Sequence, residues 1–431
     1  MVITLNMSTD TDQVEVVKPP RGGRRSEMFR ALSHRNYRLF WAGAFVSNTG
    51  TWMQAVAQGW LVFKLSNSPF WLGLDAFMGM APGIVLTLAG GVFADLVDRR
   101  RLLIYTQIVS GVSALILGVL VATDVVQVWM ILALSFVTGA CFSLAGPSYQ
   151  AITYDLVGRQ DVANAVGLNS MQFQLSRVLG PVLAGVGFRL FGLAGCFFAN
   201  ALSFVAVIGA LAMVRFDAVP DAAVLAPRER GSFLQDLFDG FRYVRRRPSV
   251  SMLLIISSVT SLFGAPYLSM TPVFARDIFH LGETGLAMMM GVAGAGAFLG
   301  ALVITYLGDF KRKGVSVLGG AMAFGLCLVG FALSTHLAVS LIFLFSLGFA
   351  IVMSVAVTNT LLQQLVSNEM RGRVMSMFML SFIGAMPIGN LIAGVVSARF
   401  GVPHTLAAGG VIISLFVAVV TVRSSRLREL Y

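Results

Sequence analysis

Two ionisable side chains, Asp75 and Arg177, lie inside long apolar segments of the sequence. A charge within a membrane costs at least a few kcal/mol unless it meets a partner or water, so both residues are candidates for function. A carboxylate can take up and release a proton, and a guanidinium donates in a planar fork that suits anionic or catecholate-like groups. We hypothesise that Asp75 cycles a proton and that Arg177 senses the change. A structural hydrogen-bonding role for Arg177, and an outer-vestibule or structural role for Asp75, are the alternatives.

Amide side chains add a polar face to the first apolar segment. Gly50, Gln54 and Gln58 recur at intervals of four residues, which places them on one side of a helix, and Asn48 lies close by. Amides within a bilayer need partners, which bonds between helices or a water-filled cavity can supply. The pattern therefore predicts either a cavity lining or an interhelical contact along this face.

The elements that position these side chains are membrane spans. The chain of 431 residues is 57% hydrophobic and only 12% charged, against roughly 25% charged residues in ordinary soluble domains. A helix needs about 20 apolar residues to cross the hydrocarbon of a bilayer. We predict an all-α membrane protein with twelve transmembrane helices, near residues 38–63, 70–94, 102–122, 126–148, 162–190, 193–214, 251–273, 285–308, 314–334, 338–361, 374–398 and 403–422.

The net charge of +11 is distributed in a way that indicates topology rather than nucleic-acid binding. When the spans are numbered alternately, most of the 31 Lys and Arg residues fall on one side, the pattern of cytoplasmic loops. Trp60, Trp71 and Trp129 fall near the opposite interface, where an aromatic belt is expected. We therefore expect a multi-pass protein of the inner (plasma) membrane with both termini in the cytoplasm.

A charged turn occurs twice, half a chain apart. The run 91–101, GVFADLVDRRR, separates two spans, and the run 305–313, TYLGDFKRK, is its weaker echo. Such duplication is typical of alternating-access transporters built from two related halves. We predict two six-helix bundles, an N-terminal one at residues 31–214 and a C-terminal one at residues 251–422. A cytoplasmic linker with an amphipathic helix, residues 215–250, is expected to connect them. Residues 1–30 are expected to form a disordered cytoplasmic tail, and residues 423–431 a second tail. Docking of a soluble partner on the linker helix is the alternative to membrane-surface binding.

Several motifs resemble the major facilitator superfamily. The loop at 91–100 resembles the superfamily's conserved inter-span motif, and the runs 146–150, 164–170 and 177–181 look like its enterobactin-exporter-like branch. Residues 371–376 and 387–390 match the same branch in the second half. The resemblance covers about residues 30–422. It implies two pseudo-symmetric six-helix bundles that alternate in access to the two sides of the membrane.

The resemblance also implies a cytoplasmic gate of charged side chains that locks one state of the transport cycle. The positions in this sequence are Gly91, Asp95, Asp98, Arg99, Arg100, Asp155 and Asp309. Leu96 and Asp98 depart from the family's usual basic residue and glycine, so the lock is expected to differ in detail. Anchoring of topology alone is the alternative role for these charges.

A motif in the fifth span and several polar positions complete the implied site. Gly180, Pro181 and Gly185 resemble the helix-bend motif associated with antiporters, which favours export. Within the family's architecture, inward-facing polar positions correspond to Tyr149, Gln150, Asn359, Gln363 and Asn390. Contact with substrate and structural hydrogen bonding are both open for each of them.

Enzymatic chemistry has no support in the sequence. A phosphate-binding loop that would indicate ATP hydrolysis is missing, as are a catalytic triad signature, a metal-ligand cluster and a redox pair of cysteines. Cys141, Cys196 and Cys327 lie in apolar spans and are expected to be buried hydrophobic side chains. We predict no enzyme activity, no cofactor and no metal.

The most favoured function is a secondary active transporter, a proton-driven exporter of an amphipathic small molecule such as a siderophore, drug or metabolite. Its expected partners are the lipid bilayer, the transported molecule and protons or another coupling ion. Nucleic acid is not expected, and a monomer can form the complete path. The alternatives are a lysolipid flippase or a solute importer on the same fold, or a membrane sensor that transports nothing.

Overall fold

The first half of the computed structural model consists of long helices. The structure describes residues 29–96, 98–214, 233–308 and 310–423. After a short 3-10 turn come α1 (Arg35–Ser66), α2 (Pro69–Leu96) and α3 (Arg99–Ala122), followed by a helical run from Val128 to Met213. Of the predicted tails (1–30 and 423–431) and linker (215–250), residues 1–28, 424–431 and 215–232 lie outside the described residues.

Two glycines divide the run Val128–Met213 into three helices. Gly158 and Gly192 have φ angles of 68° and 66°, in the left-handed region that glycine adopts without a steric penalty. The backbone leaves the helical conformation at each of these residues. We name the resulting segments α4 (128–157), α5 (159–191) and α6 (193–213).

The second half repeats this architecture after the connecting helix α7 (Phe233–Arg245). Its first span contains α8 (Pro248–Gly264), α9 (Pro266–Val273) and a π-helical turn, and its fifth span contains α13 and α14. The bounds of the remaining helices are α10 Glu283–Leu307, α11 Lys313–Leu333, α12 Leu337–Leu365, α13 Asn368–Ile383, α14 Ala385–Phe400 and α15 Val402–Arg423.

The lengths of these helices confirm the all-α membrane fold. Within the described ranges, nine helices are long and apolar enough to cross a membrane, and one of them, Gln160–Met213, has 54 residues. That helix contains the break at Gly192 and is long enough for two crossings. Together with α1 and α2, which have 32 and 28 residues, these helices fit the twelve predicted spans.

The two halves contact each other mainly along two pairs of helices, α5 with α10 and α2 with α14. Small residues bring the backbones together there. A methyl group added at Gly294 would lie 2.6 Å from the carbonyl oxygen of Arg177, and one added at Gly73 would lie 2.8 Å from the Cα atom of Gly394. Close approach of this kind is how membrane helices gain packing energy.

Candidate translocation site

Asp75 on α2 accepts hydrogen bonds from two neighbouring helices. The side-chain amide of Gln58 on α1 lies 3.0 Å and 2.9 Å from the two carboxylate oxygens. The hydroxyl of Ser135 on α4 donates to Oδ1 at 2.5 Å. Hydrogen bonds from neutral donors stabilise a carboxylate that has no positive partner. Asp75 thus accepts hydrogen bonds at the meeting point of α1, α2 and α4.

A chain of amides continues from Asp75 across the N-terminal half. Gln54 Nε2 lies 3.5 Å from Gln58 Oε1, and Asn200 Nδ2 on α6 donates to Gln54 Oε1 at 2.7 Å. Ser203 then donates to Asn200 Oδ1 at 2.9 Å. Each donor in this chain points towards the carboxylate. The chain Ser203–Asn200–Gln54–Gln58–Asp75, together with Ser135, is called the amide chain below.

Gly50 makes room for the inner end of the amide chain. A methyl group at this position would lie 2.4 Å from Ser203 Oγ and 2.5 Å from Asn200 Oδ1. A side chain there would therefore push α6 away from α1. The four-residue spacing of Gly50, Gln54 and Gln58 places all three on the face of α1 that the amide chain follows.

Arg177 on α5 lies where the two halves meet. Its guanidinium is 5.6 Å from the ring centre of Trp52 on α1, within the range of a cation–π interaction. It also lies near the hydroxyl of Tyr267 on α9, a buried residue of the other half. Among the described residues Arg177 makes no ion pair, and it forms no hydrogen bond with Asp75. The positive charge is therefore available in an aromatic setting between the halves.

The remaining predicted cavity residues occupy different environments. Asn390 is buried and accepts from Ser269 at 2.5 Å, which joins α14 to α9. Gln363 is exposed and donates to Asn359 at 2.8 Å on the same helix, α12. Asn390 thus belongs to a buried contact between helices, whereas Gln363 lies on an exposed face of α12.

On the N-terminal side, Tyr149 is half-buried and packs against Phe40 with ring centres 4.9 Å apart. Its hydroxyl lies 3.5 Å from Gln172 Oε1, and the Nε2 atom of Gln172 is buried without a partner within the described ranges. Gln150 is exposed and Asn48 is half-buried.

The motif of Gly180, Pro181 and Gly185 lies at contacts between helices. A methyl group at Gly180 would lie 2.3 Å from Trp52 Cβ, and one at Gly185 would lie 3.3 Å from Ala287 Cβ of the other half. The helix remains continuous through Pro181. The contacts show that this motif allows α5 to pack closely against α1 and α10.

The gate residues make different kinds of contact. Arg99 Nη1 lies 3.5 Å from Asp155 Oδ2, an ion pair between α3 and the end of α4. Asp98 caps α3 by accepting from the backbone N–H of Arg101 at 2.8 Å. Arg100 donates to the carbonyl oxygens of Leu211 and Ala212 at 2.9 Å and 2.8 Å, at the end of α6.

The other predicted gate positions are only partly described. Gly91 and Asp95 belong to α2, but their side chains lie outside the described parts, and Asp309 lies outside them altogether. Lys313, the last residue of the second charged turn, is 2% exposed and donates to Gln364 at 3.0 Å. The role of this set as a gate stays a prediction.

Three members of the site, Ser135, Asn200 and Ser203, were missed by sequence reasoning. Ser135 lies in a largely apolar run, and Asn200 and Ser203 are three residues apart on one face of the sixth span. Asn200 could have been predicted from the sequence, because an amide within the sixth span needs a hydrogen-bonding partner as much as Gln54 does. A second missed cluster joins Asp161, nearly buried, to Arg30 at 3.1 Å and to His34 at 2.8 Å.

Comparison with known proteins bears on this architecture and its site. The model of a family described as transmembrane secretion effector matches residues 26–430. The chain belongs to this family. It is therefore a transporter of the major facilitator superfamily and not an enzyme, as the sequence motifs predict.

Proteins that are similar to this chain in sequence include efflux proteins. The chain is 22% identical to macrolide efflux protein A of Streptococcus pyogenes, over 92% of this chain and 98% of that protein. It is 23% identical to the enterobactin exporter EntS of Shigella boydii, over 92% of this chain and 94% of that protein.

A solved structure agrees with the fold. The bacterial homolog to the human lysosomal transporter Spinster, in an inward-facing and unoccupied conformation, superimposes with a TM-score of 0.70 at 15% identity. The match covers 94% of this chain and 98% of that one. At this level of identity the similarity establishes the fold.

Proposed function

We propose that this transporter exports an amphipathic small molecule in exchange for protons, and that Asp75 is the proton carrier. The observation that carries the proposal is the amide chain, which connects a lone carboxylate to three other helices of the N-terminal half. An acidic residue inside a span is a candidate proton site in transporters. The protein is expected to work in the inner membrane with both termini in the cytoplasm.

Protonation of Asp75 would reverse the hydrogen bonds of the amide chain. As an anion, the carboxylate accepts from Gln58 and Ser135. A protonated carboxyl is itself a donor, so Gln58 would present its oxygen instead of its N–H groups. Gln54 and Asn200 would then have to turn in the same sense, because each amide uses one end for each neighbour.

This reversal offers a physical link between the proton and the helices. The amide chain joins α1 to α2, α4 and α6, so a change in its direction alters the contacts of four helices at once. Two hydrogen-bonded arrangements of similar energy form a two-state element that a ligand can bias. We infer that the proton-loaded and proton-free arrangements favour opposite sides of the alternating-access cycle.

The surroundings of Arg177 favour an anionic or aromatic substrate. Its guanidinium, next to Trp52 and Tyr267, combines donors with two aromatic rings at the boundary between the halves. Such a setting suits planar aromatic groups and acidic oxygens. The named relatives are described as exporters of a macrolide and of enterobactin, which agrees with an amphipathic substrate.

Transport in proteoliposomes tests this function. A fluorescent amphipathic anion and a pH-sensitive dye are followed together after a pH gradient is imposed. Exchange predicts that the substrate accumulates on the acidic side while protons leave it. One pH unit corresponds to about 1.4 kcal/mol per proton and so to about tenfold accumulation for one-to-one exchange.

The variant Asp75→Asn separates coupling from binding. It should retain downhill substrate flux and lose gradient-driven accumulation, because the amide cannot cycle a proton. Asp124→Asn, which changes an exposed acidic residue in the loop after α3, is the matched control and should behave like the wild type. Full accumulation by Asp75→Asn would overturn the proton-carrier role. Lipid movement without a gradient would support the flippase instead.

A further inference from the structure

A basic pocket lies between the connecting helix α7 and the start of α13, away from the amide chain. Its volume is about 370 Å³. The side chains that line it are Asp239, Arg242, Tyr243, Arg246, Arg247, Met370 and Arg373. Four arginines thus face a single carboxylate in one pocket. The translocation site uses none of these residues.

Packing of α7 against α13 forms this pocket. Gly240 permits the close approach, since a methyl group there would lie 3.1 Å from Met377 Sδ and 3.6 Å from Arg373 Cβ. An ion pair of 3.5 Å joins Asp239 to Arg373 across the two helices. Both walls are therefore held in place by contacts that do not use Arg242 or Arg246.

Two of the arginines are held by the protein, and two are free to bind a ligand. Arg247 lies 4.7 Å from the ring centre of Tyr243 and donates to the carbonyl oxygen of Leu365 at 3.0 Å. Arg242 and Arg246 are exposed and make no hydrogen bond or ion pair through their side chains with the described residues. Their guanidinium groups can therefore donate to an anion.

The position of α7 relates the pocket to the membrane surface. This helix leads directly into α8, the first span of the second half, and the charge distribution assigns that end to the cytoplasm. Phe241, next to Arg242, is 57% exposed and offers an apolar contact to lipid. A helix with basic residues beside an exposed aromatic residue is typical of the interface between headgroups and acyl chains.

We propose that the basic pocket binds the phosphate of an anionic phospholipid headgroup from the cytoplasmic leaflet. Arginine pairs with phosphate through two parallel hydrogen bonds, and Arg242 and Arg246 supply such donors. A lipid fits better than a free phosphate ion, because α7 carries the arginines of the pocket on one face and the exposed ring of Phe241, which does not line the pocket, on another, as a helix at the headgroup interface does. The bound lipid would fasten α7, and with it the connection between the halves, to the membrane surface.

Native mass spectrometry of the full-length protein in detergent tests this site. Phosphatidylglycerol and phosphatidylcholine with identical acyl chains are titrated, and the retained lipid is counted. The wild type should retain phosphatidylglycerol preferentially. The double variant Arg242→Gln/Arg246→Gln should bind it roughly 30-fold more weakly, about fivefold for each arginine near an anionic headgroup.

A matched double variant distinguishes a site from general attraction. Arg245→Gln/Arg371→Gln removes the same charge from exposed positions of α7 and α13 that do not line the pocket, and it should lose less than about threefold. Arg242→Lys/Arg246→Lys, which retains the charge, should recover part of the affinity. Equal losses in the two glutamine doubles would overturn the proposal, as would saturation of the pocket by glycerol 3-phosphate without lipid.

Discussion

At the scale of single residues, the surroundings of Asp75 and Arg177 differ in a way that suggests different tasks. Asp75 accepts three hydrogen bonds from two side chains, Gln58 and Ser135, and has no positive partner among the described residues, so its hydrogen bonds depend on whether it carries a proton. Arg177 is charged at any physiological pH and lies beside aromatic rings. A proton can change the first residue, whereas the second can only respond to a ligand or to movement of the halves.

Replacing Gln58 tests whether the amide chain carries the coupling. Gln58→Leu removes both amide bonds to Asp75, and each lost bond to a buried charge costs about 1–3 kcal/mol. We expect gradient-driven accumulation to fall about tenfold while downhill flux persists. Gln160→Leu, at an exposed position, is the control. Unchanged accumulation in Gln58→Leu would show that Asp75 acts without the chain.

Replacing Arg177 tests substrate charge. Arg177→Gln should lower the rate of transport of an anionic substrate about tenfold to a hundredfold, since a hydrogen bond to a charged group contributes about 1.5–3 kcal/mol. A cationic substrate of similar size should be affected little. Arg189→Gln removes an exposed charge from the same helix and serves as the control. Equal losses for both substrates would point to a structural role for Arg177.

At the scale of elements, the site depends on how closely α1 and α6 approach. Gly50 faces Ser203 and Asn200 with no room for a methyl group, so the position of the amide chain follows from one missing side chain. Arg100 supports the same helix from its other end by binding two terminal carbonyl oxygens of α6. Lys and Arg near a helix C-terminus stabilise it through these groups.

Gly50→Ala should therefore disturb the contact between α1 and α6. Overpacking of this kind costs about 1–3 kcal/mol, which lowers the melting temperature and weakens proton coupling. Gly209→Ala on α6 adds a methyl group into open space and should be neutral or slightly stabilising. Thermal unfolding in detergent compares the two variants. If both variants are destabilised to the same extent, the close contact at Gly50 is not what sets the distance between α1 and α6.

At the scale of the whole molecule, contacts between the halves include a clasp at the end that the charge distribution assigns to the outside. Arg276, which follows α9, covers the ring of Phe63 on α1 with its guanidinium 3.9 Å from the ring centre. The same group donates to the carbonyl oxygen of Phe63 at 3.3 Å and to the side chain of Asn67. The N-terminal half and the C-terminal half are thereby joined at their outer rim.

Removing the clasp should open the outer side. Arg276→Ala loses a cation–π contact and charge-assisted hydrogen bonds, which together correspond to about a tenfold shift in the equilibrium between states. The measurement is labelling of Gly59→Cys by an impermeant maleimide in a background without the three native cysteines. Labelling should accelerate about tenfold in Arg276→Ala and remain unchanged in Lys64→Ala. No acceleration would mean that the clasp does not hold the outer rim closed.

The sequence by itself determined the membrane fold, because bilayer thickness sets the length of an apolar helix and breaks in the apolar runs separate the spans. It also singled out Asp75, Arg177, Gln54 and Gln58, since polar groups in hydrocarbon are costly enough to be conspicuous. The four-residue spacing on α1 was enough to place the two glutamines side by side.

Only the tertiary structure decided which partners these residues meet. Ser135 and Asn200 join the amide chain from positions 77 and 146 residues away from their bonding partners on α1, and Arg177 faces Trp52 and not Asp75. Local periodicity specifies the face of a helix but not its rotation against distant helices. Those rotations follow from the packing of small residues such as Gly50, where the whole bundle decides how closely two backbones approach.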